Sequence, residues 1–473
     1  MVFNSIDFLI FFPLVYVLYL KFNFKKQNYL LLVASYFFYG YWDYRFLSLL
    51  FISTLVDFYT SNQIDKTEDS KKRKLFLYLS MISNLSMLGF FKYYNFFIQS
   101  AIDGLKILGV QANPYVLQIV LPLGISFYTF QTMSYTIDVY RKDLKAEKNF
   151  FDFALYVSYF PQLVAGPIER ATNLLPQLKT SRSITADQFA QGSLLILIGF
   201  FKKVYIADNL GTIVDEYFKA DSTLLLPEKN LTSLESLVGA IAFIFQIYGD
   251  FSGYSDIARG ISKWMGIELI QNFKHPFFSE SMNEFWRRWH ISFMNWLKDY
   301  VYKSIGKKED PEWKQHRNNI FVFLLSGLWH GANWNFVFWG LYCGIVTSLY
   351  RVYTRLFNPP QEAKFARKII NILFTFFLIV LSVVFFRSPN LGFIVKYFQL
   401  MFSFTGGIES NIMSKFLKLI FTLTILEFHQ FLKDTEYSIF ELKTFTRSII
   451  YIVLFYLIII MGNFNNGFIY FVF

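Results

Sequence analysis

Residues 318–350 contain no Asp, Glu, Lys or Arg, and this feature limits the possible folds more than any other. A helix that spans a bilayer needs about 20 mostly apolar residues, so the stretch is long enough for two membrane elements. The stretches 369–386 and 448–466 are also apolar enough to span. Charged residues make up only 17% of the chain, whereas soluble domains have roughly a quarter. The chain has too little charge to cover a water-facing surface, and we predict an integral membrane protein.

Weaker apolar segments provide further candidate spans, and several of them are interrupted by Gly, Pro or charged residues. The stretch 107–137 is long enough for two elements, and the weaker segments are 8–20, 27–42, 44–60, 75–91, 189–206, 236–257, 393–404 and 414–432. About ten to twelve spans fit the length rule. Interrupted segments are typical of tilted, broken or re-entrant helices in a buried or water-lined setting. We therefore predict an all-α membrane fold in one polytopic domain, 1–473, whose final helix and FIYFVF terminus cover 448–473.

Basic loops predict the orientation, because cytoplasmic loops of membrane proteins are rich in Lys and Arg. The basic loops are 21–26, 71–74, 141–142, 351–355 and 443–447. The segment 207–234 is instead mostly acidic. These placements agree if the N-terminus and the C-terminus both lie outside the cytoplasm. The net charge of +11 is then explained by orientation, and no nucleic-acid partner is expected.

The region 249–315 is polar and aromatic rather than apolar. Within it, 284–302 predicts one amphipathic helix in the cytoplasmic interface, because large apolar residues recur every three or four positions. These residues are Phe285, Trp289, Phe293, Trp296 and Tyr300. The cationic side chains of Arg287, Arg288 and Lys298 would then face lipid headgroups or a polar ligand. A simple surface anchor explains the same periodicity.

His330 is the strongest candidate for chemistry, because it lies in the uncharged run LLSGLWHGANWNFVFWG (324–340). An ionisable residue in such a run is costly in lipid and indicates function. Gly327 and Gly331 flank it and allow close backbone approach or a helix break. The alternative is a buried histidine that bonds a backbone carbonyl. Imidazole titrates near neutral pH, and we predict that His330 acts as a general base.

The other histidines give weaker signals. Taken alone, His290 is typical of an interfacial helix, His275 and His316 are predicted to be solvated, and His429 is predicted to pack between helices. Their spacing does not fit a zinc site, and the single cysteine, Cys343, permits no intrachain disulfide. The chain also lacks the G-x-S-x-G elbow and the nucleotide-binding glycine motifs. No metal is expected, and a nucleotide-driven pump is disfavoured.

The motifs EFWRRWHISFMNWLKDYVY (284–302) and SGLWHGANWNFVFWG (326–340) resemble the membrane-bound O-acyltransferases. The chain is most similar to the bacterial branch that O-acetylates polysaccharides such as alginate and peptidoglycan. The motifs LPLGISFYTFQTMSYTIDVYR (121–141), FPQLVAGPIER (160–170) and YGDFSGYSDIA (248–258) share this resemblance. It implies a ring of about 11–12 membrane helices around a tunnel, in a bacterial inner membrane. Both termini would be periplasmic.

The resemblance also implies roles for individual residues. His330 in WHG corresponds to the family's catalytic histidine, and His290 in RRWH corresponds to its second motif position. Trp329, Asn333 and Asp256 lie in the same family-like motifs and are expected to support them.

Tyr470 lies in the final residues, FIYFVF (468–473). By composition alone it is a typical interfacial aromatic residue. The ending is similar, however, to the aromatic terminus of a partner peptide in the D-alanyl transferase system for teichoic acids. That similarity implies that Tyr470 carries the acyl group in transit.

The resemblance implies acetyl-CoA as the cytoplasmic acetyl donor, a substrate rather than a resident cofactor. Its binding would involve Trp286, Arg287, Arg288 and Lys298, since arginine binds phosphate through paired hydrogen bonds. A periplasmic SGNH-type O-acetyltransferase would receive the acetyl group, because the sequence shows no such domain of its own. The abundance of Phe, Lys, Asn and Ile suggests an AT-rich genome and favours peptidoglycan over alginate as the acceptor.

Besides a purely structural membrane scaffold, which is the weakest alternative, two other classes of protein remain open at this stage. Many spans with a polar midplane also fit a transporter or flippase for lipid-linked sugars. An acyltransferase of the same family that modifies lipids or proteins would share the WHG and RRWH motifs. The first alternative predicts no dependence on acetyl-CoA, and the second predicts a different acceptor and a different acyl length.

Overall fold

The structure is a computed structural model that describes residues 1–111, 116–220, 226–358, 364–464 and 467–469. Within these ranges the chain forms helices and no β-strand, with one isolated β-bridge between Ala220 and Pro227. The predicted all-α class is therefore confirmed. Tyr470 lies outside the described residues.

Helices follow one another along nearly the whole described chain. The α-helices are Ile6–Lys21, Phe24–Gly40, Leu47–Lys66, Ser70–Leu88, Tyr94–Ile107, Ile125–Arg141, Phe150–Ser158, Phe160–Leu163, Ala171–Lys179, Ala186–Phe200, Asp208–Tyr217, Ser233–Trp264, Met282–Arg288, Ile291–Trp296, Lys303–Ile305, Glu312–His330, Trp334–Phe357, Phe365–Arg387, Leu391–Met401, Ser410–Lys433 and Thr444–Met461. Short 3-10 helices cover Tyr44–Phe46, Pro276–Phe278 and Ser438–Glu441. Three π-helical turns cover Gly89–Tyr93, Phe201–Ala207 and Leu297–Tyr302.

Five helical segments of the described chain are long and apolar enough to cross a membrane. They are Ser70–Ile107, Ala186–Tyr217, Ser233–Trp264, Phe365–Arg387 and Thr444–Met461. The last of these exposes large apolar side chains, among them Ile452, Phe455 and Ile460, as a lipid-facing helix does. The chain is a multi-pass membrane protein, while the number of 11–12 spans stays a prediction.

Contacts divide the chain into two compact units. One unit comprises Met1–Gly192 and Ala258–Ile270, and the other comprises Ser193–Ile257 and Gln271–Phe473. In the first unit, buried Asp57 accepts hydrogen bonds from Asn84, at 2.7 Å, and from Ser80, so a polar cluster joins two of its helices. The second unit contains every described residue that the sequence indicated for function. The prediction of a single domain stays a prediction.

The charge-free stretch forms parts of two helices, Glu312–His330 and Trp334–Phe357, as its length suggested. These helices approach closely at Gly327, where an added Cβ would lie 2.0 Å from the carbonyl oxygen of Phe336. Small residues of this kind let membrane helices pack backbone to backbone. The first helix ends at His330, and the chain is extended at Gly331. Both flanking glycines serve close approach, because an added Cβ at Gly331 would clash with the ring of Phe336. The break itself has an extended backbone that does not require glycine.

The single amphipathic helix predicted over 284–302 is wrong. The segment is divided into helices Met282–Arg288 and Ile291–Trp296 and the π-turn Leu297–Tyr302. His290 has a left-handed backbone with φ of 43°, which ends the helical path. The neighbouring loop stabilises this break, because Ile291 N–H donates to the carbonyl of Asn272 and Lys274 N–H donates to that of Arg288, both at 2.9 Å.

Candidate active site

His330 occupies the C-terminal end of its helix and is only 8% exposed. Its ring centroid lies 5.1 Å from the centroids of both Trp339 and Phe386, and each pair of rings is close to perpendicular. The ring of Phe293 lies 5.8 Å away. An aromatic enclosure of this kind holds the imidazole in one orientation and limits its contact with water.

His290 is 1% exposed and packs on some of the same rings. Its centroid lies 5.0 Å from that of Phe293 and 5.8 Å from that of Trp329. Phe293 and Trp329 stack on each other with centroids 4.1 Å apart, and both also contact His330. The structure therefore brings the two predicted histidines to one aromatic cluster, with Trp329 as a shared member.

The electrostatic setting of His290 differs from that of an ordinary histidine. Neither ring nitrogen has a hydrogen-bond partner among the described residues. Burial lowers the pKa of His290 to about 3, so the ring is neutral at physiological pH. A neutral imidazole can orient a reactant through a hydrogen bond, but it cannot supply positive charge.

A small cavity of about 30 Å³ adjoins His330. Its walls are mostly aromatic and include Phe285, Trp286, Trp289 and Phe386. By the same measure, a cavity needs about 10–15 Å³ to hold one water molecule. The space next to His330 therefore suits only a very small group.

A larger cavity of about 570 Å³ lies beside the same helices. Arg287, Lys298 and Arg351 contribute three cationic side chains to its wall, and Asn283, Asn295 and Asn319 contribute amides. Trp286 lines both this cavity and the small cavity at His330. Three of the four predicted donor-binding residues, Trp286, Arg287 and Lys298, thus lie around one space.

Arg288, the fourth predicted donor-binding residue, is not part of that wall. Its guanidinium pairs with Glu284 at 2.7 Å and lies 5.7 Å from the ring centroid of Phe431. Glu284 itself belongs to the helix start, where its backbone N–H donates to the Oγ of Ser281. The Glu284 carboxylate also accepts a hydrogen bond from the backbone N–H of Glu280, at 2.8 Å. The spacing of four residues on the helix keeps Glu284 in reach of Arg288.

Arg351 belongs to the cavity although the sequence indicated only a cytoplasmic loop charge. The helix Trp334–Phe357 extends past the charge-free stretch and carries this arginine. Thr347, one helical turn earlier, lines the same cavity. Side chains at i and i+4 share a helix face, but the sequence did not indicate a site at Thr347 either, so it gave no signal for Arg351.

Asp256 lies in a buried ion cluster rather than beside His330. Lys202 Nζ contacts Asp256 Oδ2 at 3.1 Å and Glu427 Oε1 at 3.0 Å. Glu427 Oε2 lies 2.9 Å from Nδ1 of His275, which is only 5% exposed. The prediction that His275 is solvated is therefore wrong, because an acidic partner compensates its burial.

Asn333, also named from the sequence, begins the second helix of the charge-free stretch. Its side-chain oxygen accepts a hydrogen bond from the backbone N–H of Asn335 at 3.2 Å. Asn is a favoured residue at this position because it satisfies a backbone donor that the helix leaves open. The contact supports a structural role that fixes where the chain leaves His330.

Comparison with known proteins places this geometry in a family. Residues 141–387 match the model of the membrane-bound O-acyltransferase family. The chain is 40% identical over 410 residues to a probable alginate O-acetylase of Azotobacter vinelandii, covering 85% of this chain and 78% of that protein. It is 36% identical over 405 residues to a peptidoglycan O-acetyltransferase of Helicobacter pylori, covering 80% of this chain and 74% of that one.

A more distant relative is a teichoic acid D-alanyltransferase of Bacillus subtilis, 29% identical over 242 residues, or 49% of this chain and 60% of that one. Both histidines and the three cationic residues of the larger cavity lie inside the region that matches the family. The chain therefore belongs to the membrane-bound O-acyltransferase family and is an O-acyltransferase.

Proposed function

We propose that this protein takes acetyl from cytoplasmic acetyl-CoA and passes it across the bacterial inner membrane for O-acetylation of a polysaccharide. The observation that carries the proposal is Trp286, which lines both the basic 570 Å³ cavity and the small cavity at His330. A phosphate-rich donor can thus bind on one side of this residue and present its acyl end on the other. The names of the relatives support acetyl as the group and a glycan as the acceptor.

The larger cavity suits the charged part of the donor. Coenzyme A carries several phosphate charges, and Arg287, Lys298 and Arg351 line this cavity together. Arginine binds phosphate through two parallel N–H bonds, whereas lysine acts as a point charge. Arg288 is paired with Glu284 and is not required for this mode of donor binding.

The small cavity favours acetyl over longer acyl groups. Its volume of about 30 Å³ leaves room for a methyl group next to His330. Each additional methylene would have to displace aromatic walls such as Phe285 and Phe386. Overpacking of this kind is costly in a close-packed interior. This argues against the lipid-modifying alternative, which transfers long chains.

In the proposed reaction His330 removes the proton from an attacking hydroxyl, that of Tyr470. The phenolic oxygen forms a bond to the thioester carbonyl carbon, the carbon–sulfur bond breaks, and the departing thiolate takes up the proton. The products are the acetyl ester of Tyr470 and free coenzyme A. Trp286 has a buried indole N–H without an acceptor among the described residues, and it is suited to donate to the carbonyl oxygen. Neutral His290 would orient the reactants.

The acetyl ester would then be passed to a periplasmic SGNH-type O-acetyltransferase, which acetylates the glycan. Both termini would lie on the periplasmic side, as the basic loops indicate. Peptidoglycan is the proposed acceptor, on the composition argument given above. Acetyl esters measured separately on muropeptides and on secreted polysaccharide would decide between the two glycans.

The central test replaces His330 by Ala and measures acetyl ester on the cell's glycan. A general base contributes about 10²–10⁴-fold in rate, so we expect acetylation to fall to background while the protein still inserts in the membrane. Normal acetylation by a normally inserted variant would refute the role of His330. Replacement of Tyr470 by Phe, which removes only the hydroxyl, should also abolish transfer, and full activity would exclude the relay alone.

A further inference from the structure

The second compact unit contains a buried charge cluster that the reaction described above does not use. Lys203 Nζ lies 2.7 Å from Asp208 Oδ1 and 2.6 Å from Asp250 Oδ1. The exposed fractions of these side chains are 7%, 3% and 2%, respectively. One ammonium and two carboxylates are thus held together away from water, a costly arrangement unless further polar partners are close.

Further partners come from the C-terminal segment, 467–469. Lys203 Nζ donates a hydrogen bond to the carbonyl of Gly467 at 3.2 Å. The second carboxylate oxygen of Asp250 accepts a hydrogen bond from the backbone N–H of Ile469 at 2.7 Å. A lysine ammonium has three donors, and the three oxygens named here surround it. The C-terminal backbone is therefore bound by both members of the pair.

Phe468 adds an apolar anchor between these two polar contacts. Its side chain is 3% exposed, and its ring centroid lies 4.9 Å from that of Tyr254 and 6.3 Å from that of Phe251. Phe251 in turn lies edge-on to His290, with centroids 4.6 Å apart. A continuous series of ring contacts therefore links the C-terminal segment to the histidine cluster.

The chain is directed to this place by contacts just after the last helix. Asn463 N–H donates to the carbonyl of Val204 at 3.1 Å, and the Asn209 side chain donates to the carbonyl of Met461 at 2.9 Å. Val204 belongs to the π-turn Phe201–Ala207, which also carries Lys203. Such π-turns occur frequently at functional sites. The described residues at the end of the last helix and after it are thus contacted at several points by the π-turn and by the helix Asp208–Tyr217 that follows it.

We propose that Asp250 and Lys203 form a positioning pair, which holds segment 467–469 so that the next residue, Tyr470, reaches the acyl group. The proposal rests on the proposed relay function of Tyr470. Without the segment, Lys203 would lose its bond to the Gly467 carbonyl, and Asp250 would lose its bond from the Ile469 N–H. Buried polar groups that lose their partners are costly, so the pair favours the state in which the segment is bound. Neither side chain takes part in bond making, and both act through the backbone of the segment.

The first experiment measures whether the segment is held, independently of activity. Purified full-length protein with Cys343→Ser and Phe468→Cys is labelled with a maleimide, with and without Asp250→Ala. We expect at least tenfold faster labelling at position 468 when Asp250 is replaced. A second pair of proteins, with and without Asp250→Ala, keeps native Cys343 and native Phe468 as the folding control. Cys343 is fully buried, so it should not react with the maleimide while the protein is folded. Equal rates at position 468, with Cys343 unreactive in both, would overturn the proposal.

The second experiment measures the kinetics of acetyl transfer to glycan. Asp250→Ala should lower kcat at least tenfold and leave KM for acetyl-CoA unchanged, because the donor cavity is not altered. The matched control is Asp215→Ala, which removes an exposed carboxylate paired with Arg387 and should leave both constants unchanged. If Asp250→Ala makes Cys343 reactive, Asp250→Asn replaces it, since this variant keeps the size of the side chain and removes the charge that pairs with Lys203.

The outcomes separate the two proposals. Faster labelling with an unchanged kcat would overturn the positioning role, even though the segment is anchored. Full transfer by Tyr470→Phe would exclude the relay, and the positioning role with it, while labelling would still report whether Asp250 binds the segment. Faster labelling together with a lower kcat and a constant KM would support the positioning pair.

Discussion

At the scale of single residues, Arg351 and Arg287 come from different helices and line one cavity. Arg287 could be predicted because it lies in a family-like motif. Arg351 could not be predicted as a donor-binding residue, because its position after an uncharged run is also that of an ordinary cytoplasmic loop charge. Only the continuation of the helix to Phe357 places it on the cavity wall.

Replacement of Arg351 by Ala should raise KM for acetyl-CoA about tenfold or more, since a hydrogen bond between charged groups is worth about 1.5–3 kcal/mol. The value of kcat should change little, because His330 is not altered. Arg355→Ala is the control, because Arg355 pairs with Glu312 and does not line this cavity. Steady-state kinetics of the purified enzyme would test this, and equal KM values for both variants would contradict it.

His290 combines a left-handed backbone with a neutral buried ring. Its pKa is lowered from 6.5 to about 3, so the unfolded chain binds a proton that the folded chain rejects. The stability that neutral His290 contributes is therefore fully present above pH 6.5 and is lost as the pH falls toward 3. Between pH 6.5 and 4.5 this amounts to roughly 2–3 kcal/mol.

Replacement of His290 by Asn should remove this pH dependence. Asn tolerates the left-handed backbone better than most residues, so we expect the variant to fold at pH 7. Thermal unfolding in detergent from pH 7 to pH 4.5 would show a smaller decrease in melting temperature for the variant than for the original protein. Parallel curves for the two proteins would show that His290 is not the responsible group.

At the scale of elements, the helical segments could largely be predicted from apolar runs, but the break within 284–302 could not. The large apolar residues continue at helical spacing through the break, and Phe285, Phe293 and Trp296 are buried as that pattern requires. The interruption depends on hydrogen bonds from a loop around Asn272, distant in sequence. Hydrophobic periodicity indicates which face of a helix is buried, but it does not indicate hydrogen bonds to residues distant in the chain.

The close helix pair around Gly327 should not accept even one methyl group. In Gly327→Ala the new Cβ would lie 2.0 Å from a backbone oxygen that moves only with its helix, so we expect a loss of stability of about 1–3 kcal/mol or more. Gly104→Ala is the control, because no atom lies within 4 Å of its added Cβ. Melting temperatures should fall for the first variant and stay level or rise for the second. A decrease of equal size in both would exclude the packing argument.

The π-turn Phe201–Ala207 places two consecutive lysines in separate buried ion clusters. The sequence did not indicate this, because charges inside an apolar segment suggested only an interrupted span. Lys202→Met would leave Asp256 and Glu427 buried without their cation, and we expect a loss of about 3–5 kcal/mol. Lys219→Met, which breaks an exposed pair with Glu228, should barely change the melting temperature. Similar melting temperatures for both variants would contradict the prediction.

At the scale of the whole molecule, composition identified a membrane protein and the WHG and RRWH motifs identified its family. The predicted orientation rests on charge alone, through the Lys and Arg residues of the basic loops. The ion clusters of Lys202 and Lys203 could not be predicted in the same way, since three of their acidic partners, Asp250, Asp256 and Glu427, are distant from them in the chain.

The orientation can be tested with single cysteines in a Cys343→Ser background. The variant Lys72→Cys should react with an impermeant maleimide in inverted vesicles and not in intact spheroplasts, because the loop that carries this residue is predicted to be cytoplasmic. The variant Glu228→Cys should show the opposite pattern, since the segment 207–234 is mostly acidic and is predicted to lie outside the cytoplasm. Labelling of both positions from the same side would refute the predicted orientation.

The stacked rings of Phe293 and Trp329 also limit proton leakage through the protein across an energised membrane. A histidine that titrates near neutral pH conducts protons when water chains reach it from both sides. Here aromatic rings pack around both histidines, and the cavity at His330 has a volume of only about 30 Å³. A covalent transfer from donor to hydroxyl needs no continuous water path. If the proposed transfer is correct, the enzyme would export an acetyl group while the membrane keeps its proton gradient.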